Sequence, residues 1–158
     1  MDDAPPLALD RIDRRLLALV QSEGRLTNLE LGERLGLSAS QAGRRRQRLE
    51  RAGLIRGYGA RLEPARLGLA VQAFVQVVLA THKPERVRGF LELVRMRPEI
   101  VGVWTLTGEA DHLLRVFCRD LAELSTLIHG VLLPHEAVAR VHSQIVLDQL
   151  KRDTPLPV

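Results

Sequence analysis

Within positions 44–51 the chain carries Arg44, Arg45, Arg46, Arg48 and Arg51 against one acid, Glu50. A guanidinium is always charged and presents a planar fork of donors, so arginine at this density suits bidentate contacts to phosphate or to the acceptor edge of guanine. Ser40, Arg44 and Arg48 recur at i, i+4 and i+8, a single stripe if the segment is helical, with Gln41 and Arg45 beside it. Ser40 and Gln41, at the helix start, are expected to face base edges, while the arginines read guanine or hold phosphate. An arginine-rich helix taken alone is more often a solvated face. What precedes this one decides for nucleic acid.

Thr27 with Glu30, and Ser38 with Gln41, each fit a capping box, in which a hydroxyl caps the helix start and the residue three along bonds back. Two helix starts are thereby fixed eleven residues apart. Leu29, Leu31 and Leu35 are expected to be the buried side of the first of these helices, and Gly36-Leu37-Ser38 supplies the bend. An earlier helix from about Asp10 to Glu23, capped by Asp10 and stopped by Gly24, buries Ile12, Leu16, Leu19 and Val20. Three helices ending in a basic one form a helix-turn-helix unit of the kind that docks on duplex DNA, winged-helix-like in outline. Gly53-Leu54-Ile55 ends the basic helix.

The chain then changes character. Glycines 57 and 59 and Pro64 mark a connector, with the break near residue 65. The expected organisation is a head over 1–55, a connector over 56–68, a second domain over 69–150 and a tail over 151–158. In the second domain Val71, Ala73, Val75, Val77 and Leu79 alternate with Gln72, Phe74, Gln76 and Val78, which predicts a strand. Pro84 opens a helix burying Val87, Phe90, Leu91 and Val94, and Pro98 closes it. Residues 100–107 and 113–119 read as strands joined across Gly108-Glu109-Ala110-Asp111. A second helix, capped by Asp120, buries Leu121, Leu124 and Ile128, and residues 139–147 make the last strand. The order is βαββαβ, the ferredoxin-like plan, so the whole chain is an α+β protein. Two helices cover one sheet face; the other, with Gln72, Gln76, His142 and Gln144, is left for a partner subunit.

Composition narrows the alternatives. The 158 residues are 46% apolar yet 3% aromatic, with a net charge of +4. Up to Glu63 there are twelve arginines against nine acids, and beyond it eleven basic residues against ten, so most of the excess positive charge lies in the head. No run of about 18 apolar residues reads as a membrane span. The opening MDDAPPL is acidic and unlike a secretory signal, and a lone cysteine fits a reducing compartment, so a cytoplasmic protein is expected. Cys118 reads as a small core residue. His82, His112, His129, His135 and His142 show no i, i+4 pairing and no cysteine nearby, which argues against zinc, although His112 and His142 could meet across the sheet. Trp104 reads as packing, at the dimer face. There is no phosphate loop, nucleophile elbow or catalytic carboxylate pair, so the expectation is a non-enzyme without a cofactor.

Over residues 9–151 the chain resembles the Lrp/AsnC (leucine-responsive, feast/famine) family of transcriptional regulators. The resemblance is carried by Leu9-Asp10-Arg11-Ile12-Asp13, Gly36-Leu37-Ser38, Arg45 with Arg48-Leu49-Glu50, Gly57-Tyr58, and Pro64 before Leu67-Gly68. It continues in Thr107-Gly108-Glu109-Ala110-Asp111 and the closing Ser143-Gln144-Ile145-Val146-Leu147-Asp148-Gln149-Leu150-Lys151. It implies an N-terminal DNA reader, for which the stripe above offers Ser40, Gln41, Arg44, Arg45 and Arg48 as contacts, joined to a C-terminal effector-binding ferredoxin-like domain. It also implies dimers that assemble into tetramers or octamers, with a small metabolite, an amino acid, bound between subunits near Thr107, Gly108, Glu109 and Asp111. In that reading Asp111, with Glu109, answers the ammonium while turn N–H groups take the carboxylate. Two heads on a dimer would reach half-sites about 10 base pairs apart or a multiple of that.

The chain departs from the family pattern at three places. Ala42 stands where a larger apolar residue is usual, Ala110 where an aromatic is common, and Arg46 where Val or Ile is usual. Arg46 falls on the face of Ala42 and Leu49, so it is expected to snorkel to the edge with its stem packed. Gly43 weakens the same helix by roughly 1 kcal/mol relative to Ala. A helix that is marginal alone and firmer on DNA follows, with an effector pocket widened at Ala110. The competing reading from another class is a siroheme decarboxylase on the same scaffold, which would need histidine and arginine converging on a large cleft. A metabolite sensor without DNA binding is a third. The arginine run disfavours both.

Overall fold

A computed structural model describes residues 7–158, so the reading of the MDDAPPL segment lies outside the described residues except at Leu7. The chain forms two units. The described residues up to Arg61, joined by Lys151–Val158, make the first, and Leu62–Leu150 the second. Segment 151–158 is therefore not a free tail. The Gln21 amide donates to the Leu156 carbonyl at 3.2 Å and accepts from the Leu156 N–H at 2.7 Å, which pins the returning chain to the first helix.

That helix, α1 (Arg11–Ser22), precedes α2 (Asn28–Leu35) and α3 (Ala39–Arg51). All three start in capping boxes. Those of Thr27 with Glu30 and Ser38 with Gln41 are as expected, and Asp10 with Asp13 adds a third. Gly36 ends α2 at φ 69°, the left-handed value that favours glycine. Leu16, Leu31, Ala42 and Leu49 are wholly buried, joined by Leu17, Val20, Leu26 and Leu35. Leu29, expected inside, is 61% exposed. It lies two residues from Leu31, about 200° around the helix, so one of the pair must face water. Ala42 and Gly43 have a packing reason: a Cβ on Gly43 would lie 2.9 Å from the Asn28 side-chain nitrogen. Small residues let α3 close on the start of α2. After α3 the described chain turns and then runs without helix or strand to a single 3₁₀ turn at Pro64–Leu67.

The second unit follows the expected order: β1 (Val71–Leu79), α4 (Pro84–Arg95), β2 (Ile100–Thr105), β3 (His112–Cys118), α5 (Leu121–Ser125) and β4 (Val138–Ile145). The strands pair antiparallel in the order β2-β3-β1-β4. Ala73, Val75, Val77, Leu114, Val116 and Cys118 are fully buried with Phe90 and Leu132 in one core. On the other face Gln72, Phe74, Gln76, Val78, Leu113, Arg115 and Phe117 are half-buried.

Two expectations fail here. Leu121 is 59% exposed, and Leu127 and Leu132 are buried instead. The reason is that α5 widens into a π-helix over Thr126–Leu132, with the Leu133 N–H on the Ile128 carbonyl five residues back. A wider turn brings residues five apart onto one face, which a 3.6-residue count misses. His112 and His142 do not meet. His112 is buried and stacked 5.6 Å from the Phe90 ring, while His142 stands opposite Gln76 on the far face, with β1 between their strands. Burial pushes the Cys118 thiol up to about 11, in keeping with a core residue.

Candidate nucleic-acid interface and effector turn

The Ser38 box fixes where α3 begins, and that start decides which residues face outward. Ser40, Gln41 and Arg44 are exposed. Gln41 is partly committed, since its carbonyl accepts from the Ser38 N–H at 2.9 Å, leaving its amide NH₂ free to donate. Arg44, Arg45, Arg48 and Gln41 line a cleft of about 350 Å³ with Leu37 and Asp10. Among the described residues Arg44 makes no hydrogen bond or ion pair.

Arg45 and Arg48 differ. Asp13 is wholly buried, and its carboxylate accepts from Arg45 at 2.8 Å and from Arg48 through the other oxygen. Arg45 also reaches Asp10 at 2.6 Å. A buried carboxylate requires paired charge and hydrogen bonds, which two guanidinium groups supply. The Asp13 N–H, and then Arg45, hold the Asp10 carboxyl below the usual carboxylate range. Acids at the start of α1 thus fasten two arginines of α3. Arg48 keeps 46% of its side chain exposed and Arg45 29%. Both retain outward donors, held in place by the acids.

Arg46 does not simply snorkel. Its Nη1 donates to the Leu26 carbonyl at 2.9 Å, and its Nε to the Tyr58 hydroxyl at 2.8 Å and to Glu50 at 3.2 Å.

The four candidate residues of the β2–β3 turn diverge. Thr107, Gly108 and Glu109 are exposed, Ala110 is buried, and the N–H groups of Thr107, Gly108, Glu109 and Ala110 make no backbone–backbone hydrogen bond among the described residues. Glu109 lines a cleft of about 340 Å³ with Gln76, Val78, Ala110, Arg140, Val141, His142 and Gln144. Asp111 turns away from it. Its Oδ2 accepts from the Leu79 N–H at 2.7 Å and its Oδ1 meets His82 Nε2 at 2.8 Å. The Leu79 N–H, and then His82, hold this carboxyl below its usual range. The oxygens of Asp111 thus serve the end of β1 and His82, and Glu109 is the carboxylate that lines the cleft.

Residues 72–156 match the Lrp/AsnC ligand binding domain, more than half of the chain, and residues 9–56 match the winged helix-turn-helix DNA-binding family. The chain belongs to the Lrp/AsnC family. It is 36% identical over 143 residues to the leucine-responsive regulatory protein of Rhizobium meliloti, covering 90% of this chain and 92% of that one. It is 33% identical over 150 residues to the DNA-binding transcriptional activator DecR of Escherichia coli, covering 95% and 99%. Among solved structures it is similar to a Neisseria meningitidis transcriptional regulator in complex with L-Met. There the TM-score is 0.90 and the identity 39%, covering 95% of this chain and 97% of that one. This Lrp/AsnC chain is a DNA-binding transcriptional regulator with a ligand-binding domain, and its regulator relatives give no support to the decarboxylase alternative. None of the described helices is long and apolar enough to cross a membrane.

The pairing of Asp13 with Arg45 and Arg48, that of His82 with Asp111, and the place of Arg140 in the cleft are not foreseen from the sequence. Asp13 carried one local signal, its place three residues after Asp10 in a capping box. Its partners lie 32 and 35 residues away, and His82 and Asp111 are 29 apart, so no local pattern announces either pair.

Proposed function

We propose that this regulator binds a specific operator through α3 and that an amino acid held by the second unit controls it. The observation that carries the first half is the division within α3: Arg44 is exposed and unengaged among the described residues, while acids fix the arginines beside it. Ser40, Gln41 and Arg44 then reach base edges, and Arg45 and Arg48 face backbone phosphates from fixed positions. In a duplex selected by the protein from a randomised pool, log affinity is expected to fall linearly with log salt. Salt-independent or absent binding would overturn this reading.

For the effector, the cleft beside Glu109 has the size of a small-metabolite site. Glu109 supplies a carboxylate for an ammonium, the N–H groups of Thr107 and Gly108 suit a carboxylate, and Asp111 holds the turn rather than the ligand. The L-Met complex of the similar Neisseria meningitidis regulator supports an amino acid. A thermal-shift screen of the twenty amino acids tests it, since a ligand of the folded state raises the melting temperature by mass action. No shift at millimolar concentration would remove amino acids as the effector class. The half-buried outer sheet face, with Phe74 and Phe117 beside polar Gln72 and Gln76, has no helix of its own unit over it among the described residues and fits a second copy, giving a dimer that builds tetramers or octamers. Two heads would then read half-sites on successive turns of DNA, in the cytoplasm. A stable monomer at micromolar concentration in light scattering would contradict the assembly.

A further inference from the structure

Arg46 occupies a helix position flanked by the wholly buried Ala42 and Leu49, yet it is an arginine with 20% of its side chain exposed. It ties three segments together. The guanidinium donates to the Leu26 carbonyl in the α1–α2 turn and to Glu50 one turn along α3. It also donates to the hydroxyl of Tyr58 and lies over that ring at 4.4 Å from its centre. Tyr58 in turn donates to Glu50 at 2.9 Å. Tyr58 sits in the irregular segment after α3, where residues 56–62 make no backbone–backbone hydrogen bond among the described residues. Side chains therefore carry the attachment of this segment to the head. An aliphatic residue at position 46 would bury more apolar area but leave the tyrosine hydroxyl and the Leu26 carbonyl without this donor.

We propose that Arg46 is a positioning residue: acting through Tyr58, it latches the outgoing chain onto the recognition helix, so that α3 and the start of the connector move as one rigid piece. The latch itself stands on the geometry. Its consequence for DNA rests on the function proposed above, and two readouts keep the failures apart.

The chain contains one tyrosine, so the ultraviolet absorbance of ionised phenol reports Tyr58 alone. In the parent, burial and then the Glu50 carboxylate push its ionisation above the ordinary value, while Arg46 pulls the other way. Were the ring to stay in place without Arg46, Arg46→Leu would raise the ionisation further. If Arg46 holds the ring, releasing it into water brings the value back towards the ordinary ~10. The fall is expected; an unchanged or higher value overturns the latch. Arg46→Gln, which keeps a donor near Leu26, is read in the same way if the leucine variant does not fold by circular dichroism. On the duplex selected by the parent, Arg46→Leu is expected to weaken binding about three- to tenfold at fixed salt, with the salt slope unchanged. Unchanged affinity overturns the positioning role, and a slope lowered by about one would make Arg46 a phosphate contact instead. Failure of the parent to bind any duplex would sink the DNA reading and leave the phenol titration as the test of the latch.

Discussion

The two units of this chain are held together by different physics. In the second, the sheet core is almost wholly apolar: Val75, Val77, Leu114, Val116, Phe90 and Leu132 have no exposure, His112 is the one buried polar side chain among the described residues, and no ion pair crosses that core among them. In the first, eight buried apolar residues share their interior with Asp13, a carboxylate held by two arginines of α3, the helix proposed to meet DNA. Apolar burial is non-directional and indifferent to salt at modest concentration, whereas a half-exposed ion network is directional and screened. The head therefore gains definition of α3 at the expense of sensitivity to its ionic surroundings, which include any phosphate backbone it approaches.

The largest effect should come from cutting the apolar side of this contrast. Leu114→Ala is expected to destabilise the second unit by about 2–5 kcal/mol, with little dependence on salt between 0.1 and about 1 M. Differential scanning calorimetry, with the head and sheet transitions assigned by hydrogen exchange, checks it; a strongly salt-dependent loss would blur the distinction. Next in size, Asp13→Ala should destabilise the head by about 1–3 kcal/mol, discounted because Arg45 and Arg48 are partly exposed and rehydrate. The gap between parent and variant is expected to narrow as salt rises, and an equal gap at both ends would show that Asp13 acts by packing.

Within α3 the same logic separates neighbours. Arg44→Ala is expected to leave stability within about 0.5 kcal/mol and to reduce the salt slope of DNA binding by about one, a several-fold loss of affinity. Arg45→Ala should lower head stability as well. Should the two variants behave alike, the division of the arginines is wrong. The smallest effect concerns acid. The folded carboxyl of Asp111 is depressed below its ordinary value by the Leu79 N–H and His82, so the stability it contributes is present above the unfolded value near ~4 and lost as pH falls through the lower folded value. Asp111→Asn should flatten the acid limb of the second unit's melting temperature below about pH 4. A limb as steep as the parent's would show that other carboxylates carry it.

Much of this architecture was legible because its causes are local. A capping box spans four residues and an amphipathic strand repeats every two, so the starts of α2 and α3 and the inner face of β1 could be read directly. The misses have local causes too. Leu29 failed because three leucines compete for one helix face, and Leu121 because the π-helical stretch changes the period within α5. The candidate site was legible to a lesser depth. Ser40, Gln41 and Arg44 lie outward as the helical stripe required, but the roles of Arg45, Arg48 and Asp111 depend on partners brought close only by folding.

Sequence by itself determined the two-part organisation, the βαββαβ order, the basic helix and the sheet face left open, since each follows from residue type and period along a few turns of chain. Tertiary structure alone decided which charges are available. Asp13 draws in Arg45 and Arg48, Tyr58 and Leu26 take up Arg46, and Leu79 and His82 hold Asp111, while Arg44 and Glu109 have no ionic partner among the described residues. The physical reason is that an ionic partner is set by distance through space. The pairs that settle these roles are separated by 12 to 35 residues along the chain, beyond the reach of any local pattern.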